Sequence, residues 1–128
     1  MNIMEKNANI KIKWLTAPEE HDYPAAASYL NLLYEPAVVN NITELLKQAP
    51  IVLFKSKDIF RASGLSLLGV SNSHVKKDQK KISSGQALSP LLLVRNMTQG
   101  KVIIADGYHR LCAVYATDED IVVPCKIV

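Results

Sequence analysis

The sequence predicts an α+β fold, a small mixed β-sheet flanked by helices, on two observations. Apolar residues recur at helical spacing before Pro50 and in uninterrupted runs of strand length after it. The order of these segments lacks the regular strand-helix alternation of a doubly wound nucleotide fold. Length bounds the number of domains: 128 residues, 48% hydrophobic and 21% charged, make one unit whose core needs no disulfide or metal. It divides into a mainly helical portion, 1–50, and a core, 51–128.

Ile10 to Leu15 reads as a short strand and Thr16 to Asp22 as a polar connector. From Pro24, suited to a first turn, Ala26, Tyr29, Leu30 and Leu33 recur at i, i+3, i+4, i+7. Pro36 repeats the device, and Val38, Ile42, Leu45, Leu46 and Ala49 form a second stripe ended by Pro50, so Pro24 to Gln48 is a helical pair. Ile51 to Lys55 is an apolar run. Ser56 is placed to cap a short helix that stops near Gly64. Asn72 or Ser73 caps another, from about His74 to Ser83, with Gly85 as its stop. Leu91 to Val94 and Val102 to Ala105 are buried strands joined as a hairpin through a polar turn ending in Gly100. A helix from Gly107 to about Ala116 and a strand from Ile121 to Val128 complete the chain.

Fifteen Lys plus Arg against twelve Asp plus Glu leave a formal charge of +3, which permits anionic ligands without requiring nucleic acid. Cys112 and Cys125 lack C-x-x-C spacing and are too few for a disulfide framework, so a reducing, cytoplasmic setting is expected. Met1 to Lys13 carries no continuous apolar stretch, and no run approaches the roughly 18 residues of a membrane span. His21, His74 and His109 show no zinc spacing, and no Ser-His-Asp order, Walker loop or glycine-rich dinucleotide motif is present.

The segment Ala105 to Tyr115, A-D-G-Y-H-R-L-C-A-V-Y, carries the functional signal. A buried strand ends at Asp106, Gly107 permits a tight turn, and a helix begins at once. Tyr108, Leu111, Cys112 and Tyr115 fall on one stripe, which leaves His109 on its flank and Arg110 nearly opposite. First-turn N–H groups lack intrahelical acceptors, and the helix dipole adds positive potential there, so anions bind. Glycine admits a phosphate to the backbone, arginine adds a charged fork, and histidine a donor or proton carrier. Asp106 would hold Mg²⁺, accept a hydroxyl proton, or cap the helix.

D-G-Y-H-R-L-C-A, preceded by P-L-L-L-V-R and a Gly-terminated helix, resembles the ParB/sulfiredoxin superfamily over Ile51 to Val128. K-D-I-F-R-A-S-G-L, S-N-S-H-V and L-S-P-L-L-L-V-R resemble small bacterial members of it. The resemblance implies a small mixed sheet whose turn holds nucleotide phosphates, with Gly107, Tyr108, His109 and Arg110 as ligand-binding residues, Asp106 handling metal or proton, and Arg61 as a further candidate. The cofactor would be ATP or CTP with Mg²⁺, serving hydrolysis or phosphoryl transfer to a small acceptor. Tyr108 stands where sulfiredoxins place their catalytic cysteine, so sulfiredoxin chemistry is not expected. Cys112, one turn on, belongs to the packing stripe. Partitioning ParB proteins continue into a helix-turn-helix domain, whereas here Val128 comes immediately after the last expected strand.

Secondary candidates surround that turn. Asn72, Ser73 and His74 would make a second anion-binding terminus. Lys76, Lys77, Lys80 and Lys81 form one basic face, a solvated surface or a contact for nucleic-acid backbone. Asp58 and Arg61 are spaced for an i, i+3 ion pair. His21 becomes of interest if a pocket lies beside it. The expected function is a domain that binds a nucleotide or other small phosphorylated ligand. The alternative is a non-enzymatic module for protein or nucleic acid with a degenerate site.

Overall fold

Leu91, Leu92, Leu93 and Val94 are all buried, and since successive strand residues point to opposite faces, the sheet they belong to is covered on both. The computed structural model describes residues 11–69 and 71–128. In order these form α1 (Asp22–Leu30), α2 (Pro36–Gln48), β1 (Val52–Lys55), α3 (Ser56–Ser63), α4 (Ser73–Ser83), β2 (Leu91–Asn96), β3 (Lys101–Asp106), α5 (Tyr108–Thr117) and β4 (Val122–Ile127). The four strands run β1-β4-β2-β3 across one sheet. β1 with β4 and β2 with β3 are antiparallel, while β4 lies parallel to β2. The α+β class and mixed sheet are as expected. No helix among the described residues is long and apolar enough to cross a membrane.

Each face has its own core. Leu91, Leu93, Ile104, Val123 and Cys125 pack with Ile59 of α3, Val75 and Ile82 of α4, and Leu111 to Val114 of α5. Leu92, Val94 and Ala105 pack with Tyr23, Ala26 and Leu30 of α1 and Val39 and Leu46 of α2. The helical pair is therefore the second cover of the sheet.

Several expectations are corrected. α1 buries Tyr23, Ala26 and Leu30, but Tyr29 and Leu33 stay 43% and 48% exposed. α2 buries Val39 and Leu46, while Val38 and Leu45 face outward. The apolar floor the sheet offers these helices is narrow, with Leu92, Val94 and Ala105 buried and the buried Lys126 set over the Tyr23 ring, so it covers only part of each stripe. Ser56 does not cap α3. It is the first helical residue, buried, and its hydroxyl donates to the Glu119 carbonyl at 2.6 Å, which ties α3 to the turn before β4. Gly64 does end α3, at φ 68°, donating its N–H to the Phe60 carbonyl. The expected first strand shrinks to one bridge, where Leu15 N–H donates to the Leu88 carbonyl and Leu88 N–H to that of Lys13; Ile10 lies outside the described residues. The expected Asp58–Arg61 pair is absent from the ion pairs among the described residues.

A register shift between Leu92 and Leu93 leaves Ala105 without an opposite residue, just before β3 reaches Asp106. Such irregularities bend a strand and re-aim the side chains beyond them. This one lies at the entrance to the conspicuous turn.

Candidate phosphate-binding cleft

Gly107 connects β3 to α5 at φ 106°, a conformation that side-chain-bearing residues rarely adopt. A Cβ there would lie 2.7 Å from Leu91 Cγ and 2.9 Å from Arg110 Nη2. Glycine is thus required by backbone and space together. α5 has no side-chain cap, so the capping role left open for Asp106 is not what its carboxylate does.

Asp106 instead pairs with Arg110, whose Nη2 donates to Oδ2 at 2.9 Å. The expectation that Arg110 has no packing duty is corrected. Its side chain folds back over the first turn, 17% exposed against 16% for that of Asp106. Nη2 also reaches the Pro90 carbonyl at 3.4 Å, while Nε is buried with no acceptor among the described residues. Burial pushes the Asp106 carboxyl above its ordinary range and outweighs the guanidinium, which acts the other way; the Asp22 carboxyl adds to the rise. Asp22 is 3% exposed. One of its oxygens accepts from Glu19 N–H at 2.9 Å, and the other lies 3.4 Å from His21 Nε2.

Asp106, Gly107 and Arg110 open onto a cleft of about 340 Å³ walled by α4 and the start of α5. His74 and His109 line it as a contacting pair of rings, centroids 4.8 Å apart and tilted by 37°. Burial pushes the His109 imidazole below its ordinary value, and His74 adds to the shift. Lys77 and Lys81 line the same wall beside Asp78, and His21 closes the rim. Three cations, Lys77, Lys81 and Arg110, stand against two carboxylates, Asp78 and Asp106, with Lys81 3.9 Å from Asp78. A phosphate placed here would meet the uncapped amides of α5, the guanidinium and both imidazoles.

The structure brings Asp106, Gly107, Tyr108, His109, Arg110 and His74 to one cleft. It does not bring Asn72 there as a ligand group. The Asn72 side-chain oxygen accepts from His74 N–H at 2.9 Å and Val75 N–H at 3.3 Å, so the amides of a second anion-binding terminus are already occupied. Arg61 is exposed in the last turn of α3 and does not line the cleft. The basic face of α4 divides, with Lys77 and Lys81 on the cleft and Lys76 and Lys80 outside its walls.

Asp22 was missed, because nothing in H-D-Y-P says that its carboxyl will be buried near a residue 84 positions later (106 less 22). His74, Lys77, Asp78 and Lys81, at i, i+3, i+4, i+7, carried a legible signal in one polar stripe that opposed the grouping of all four lysines.

Tyr108 turns its hydroxyl to donate to the Ser66 carbonyl and sets its ring 5.6 Å from that of His109. Cys112 and Cys125 are free and buried. Burial raises the Cys112 thiol above its ordinary value and pushes that of Cys125 up to about 12, so both behave as packing groups. Among the described residues, no three or more His, Cys, Asp or Glu form a metal-ligating group. No protein-family model, curated protein or solved structure matches the chain.

Proposed function

We propose that this protein binds the phosphate groups of a nucleotide or other small phosphorylated ligand in the cleft before α5. The observation that carries this reading is the uncapped start of α5 opening where His74, Lys77, Lys81, His109 and Arg110 converge. Backbone amides and the helix dipole take one phosphate oxygen, the guanidinium clamps another, and Lys77 and Lys81 neutralise charge further out. The Nε of Arg110, buried without an acceptor among the described residues, leaves one guanidinium donor unsatisfied beside the cleft.

The likeness of D-G-Y-H-R to the ParB/sulfiredoxin turn supports a nucleotide, ATP or CTP, over a bare anion. Tyr108 in place of a cysteine argues against sulfinic acid reduction. Mg²⁺ fits the donor chemistry in a limited way: it is commonly held by one or two carboxylates plus the substrate's phosphates, and Asp106 is the carboxylate at the turn. Bound there, it would neutralise phosphate charge. Phosphoryl transfer or hydrolysis would draw on Asp106 to accept the proton of an attacking hydroxyl and on Arg110 and His109 to stabilise the charge on the transferred group.

Thermal unfolding of wild type, Arg110→Ala and Lys77→Ala with ATP, CTP and GTP, with and without Mg²⁺, tests this. A ligand at a hundred times its Kd stabilises by about 2.7 kcal/mol, a readable shift that both variants should diminish. Absence of stabilisation of wild type by every nucleotide at millimolar concentration would remove the nucleotide reading.

A further inference from the structure

We infer that the cleft's ligand is an organic phosphate with an apolar body, seated in a second cavity that shares Asp106 to His109 with the cationic cleft. The inference rests on the phosphate reading above and adds what lies beyond the phosphate.

The second cavity, about 350 Å³, has Ile104 and Ala105 among its lining residues, with Tyr29 and Leu65 beside them. Its other walls, Asp106 to His109, also line the cleft. A molecule held by its phosphate at this turn therefore has an apolar recess within reach of its remaining atoms. Tyr29 is 43% and Leu65 45% exposed, although Tyr29 sits at a position whose spacing predicts burial. Packing within the chain leaves that ring half uncovered, and a ligand body would cover it. The Tyr108 hydroxyl is engaged with the Ser66 carbonyl, so the residue has its ring rather than a free polar tip to offer. The four residues not shared with the cleft, Tyr29, Leu65, Ile104 and Ala105, contribute no charge. Affinity there would come from buried apolar area, with little to read a hydrogen-bonding edge. Charge complementarity at one end and apolar surface at the other favour an alkyl or aryl phosphate over the nucleotide that the likeness of the turn suggests.

Calorimetric titration of the full chain with inorganic phosphate, phenyl phosphate and hexyl phosphate tests the inference. Burying most of a phenyl or hexyl group should tighten binding about tenfold or more over inorganic phosphate. The double variant Tyr29→Ser, Leu65→Ser alters only exposed side chains and should abolish that advantage while leaving inorganic phosphate affinity unchanged. Equal binding of the three phosphates by wild type, or an advantage that survives in the double variant, overturns the inference and leaves the phosphate reading standing. Failure of all three to bind overturns the inference, and the nucleotide panel above then decides the phosphate reading separately.

Discussion

Replacing Gly107 by alanine tests whether the turn is built as described. Two penalties apply. At φ 106° a residue with a Cβ bears backbone strain of about 1–3 kcal/mol. The new methyl would sit 2.7 Å from Leu91 Cγ, and Leu91 is fully buried, so the core must shift; overpacking of this kind costs roughly 1–3 kcal/mol. The lower entropy of the unfolded alanine chain returns about 0.4–1 kcal/mol. The net loss is therefore about 1–5 kcal/mol. Urea denaturation reads it directly, since at a slope of about 2 kcal/mol/M that loss becomes a midpoint shift of roughly 0.5–2.5 M. Gly100→Ala is the control: its φ is 65° with no atom within 4 Å of the added Cβ, so the backbone penalty alone applies, about 1 kcal/mol. If the two variants are equally stable, the close approach to Leu91 and Arg110 is not what the turn enforces, and the structural reason for glycine fails.

Three further outcomes follow from the site. Asp106 has a raised carboxyl pKa, so the stability it contributes is fully present below the unfolded aspartate value, near 3.9, and is lost as pH rises through the folded value. The stability difference between wild type and Asp106→Asn should therefore move in the variant's favour as pH rises from about 4 towards 7, and a wild-type advantage that grows over this range contradicts the burial of that carboxyl. His109 is held below its ordinary pKa, and a phosphate bound beside it would oppose that shift. Titrations in buffers of different ionisation enthalpy near neutral pH should reveal net proton uptake on binding, reduced in His109→Gln; uptake of equal size in the variant places the proton elsewhere. Both thiols should resist a disulfide-exchange reagent in the native protein and react once urea exposes them, and rapid native labelling of Cys112 would refute its packing role.

The turn itself was legible because its components are local: a run of buried strand residues, a glycine, and a helix stripe within A-D-G-Y-H-R-L-C-A. Where Arg110 points was not legible. Helical phase places it opposite the packed stripe, yet an i, i+4 partner at Asp106 and the Pro90 carbonyl draw its long side chain back over the helix start. Asn72 shows the converse. The residue type marks both a cap and a polar ligand group, and only the hydrogen bonds to His74 and Val75 decide between them. The lysines of α4 looked like one face in a flat reading, while packing against α5 turns Lys77 and Lys81 alone towards the cleft.

By itself the sequence determined the element order, the α+β class, the β2–β3 hairpin and the glycine turn, since each depends on periodicity or backbone freedom over a few neighbouring residues. The tertiary structure decided which half of each apolar stripe is buried, how α1 carries His21 to the rim of the cleft and Asp22 to the neighbourhood of Asp106, and why Tyr29 is left uncovered beside the turn. Those outcomes depend on how wide a floor the sheet offers and on which distant segments meet at its end, and both are set by packing between residues far apart in the chain.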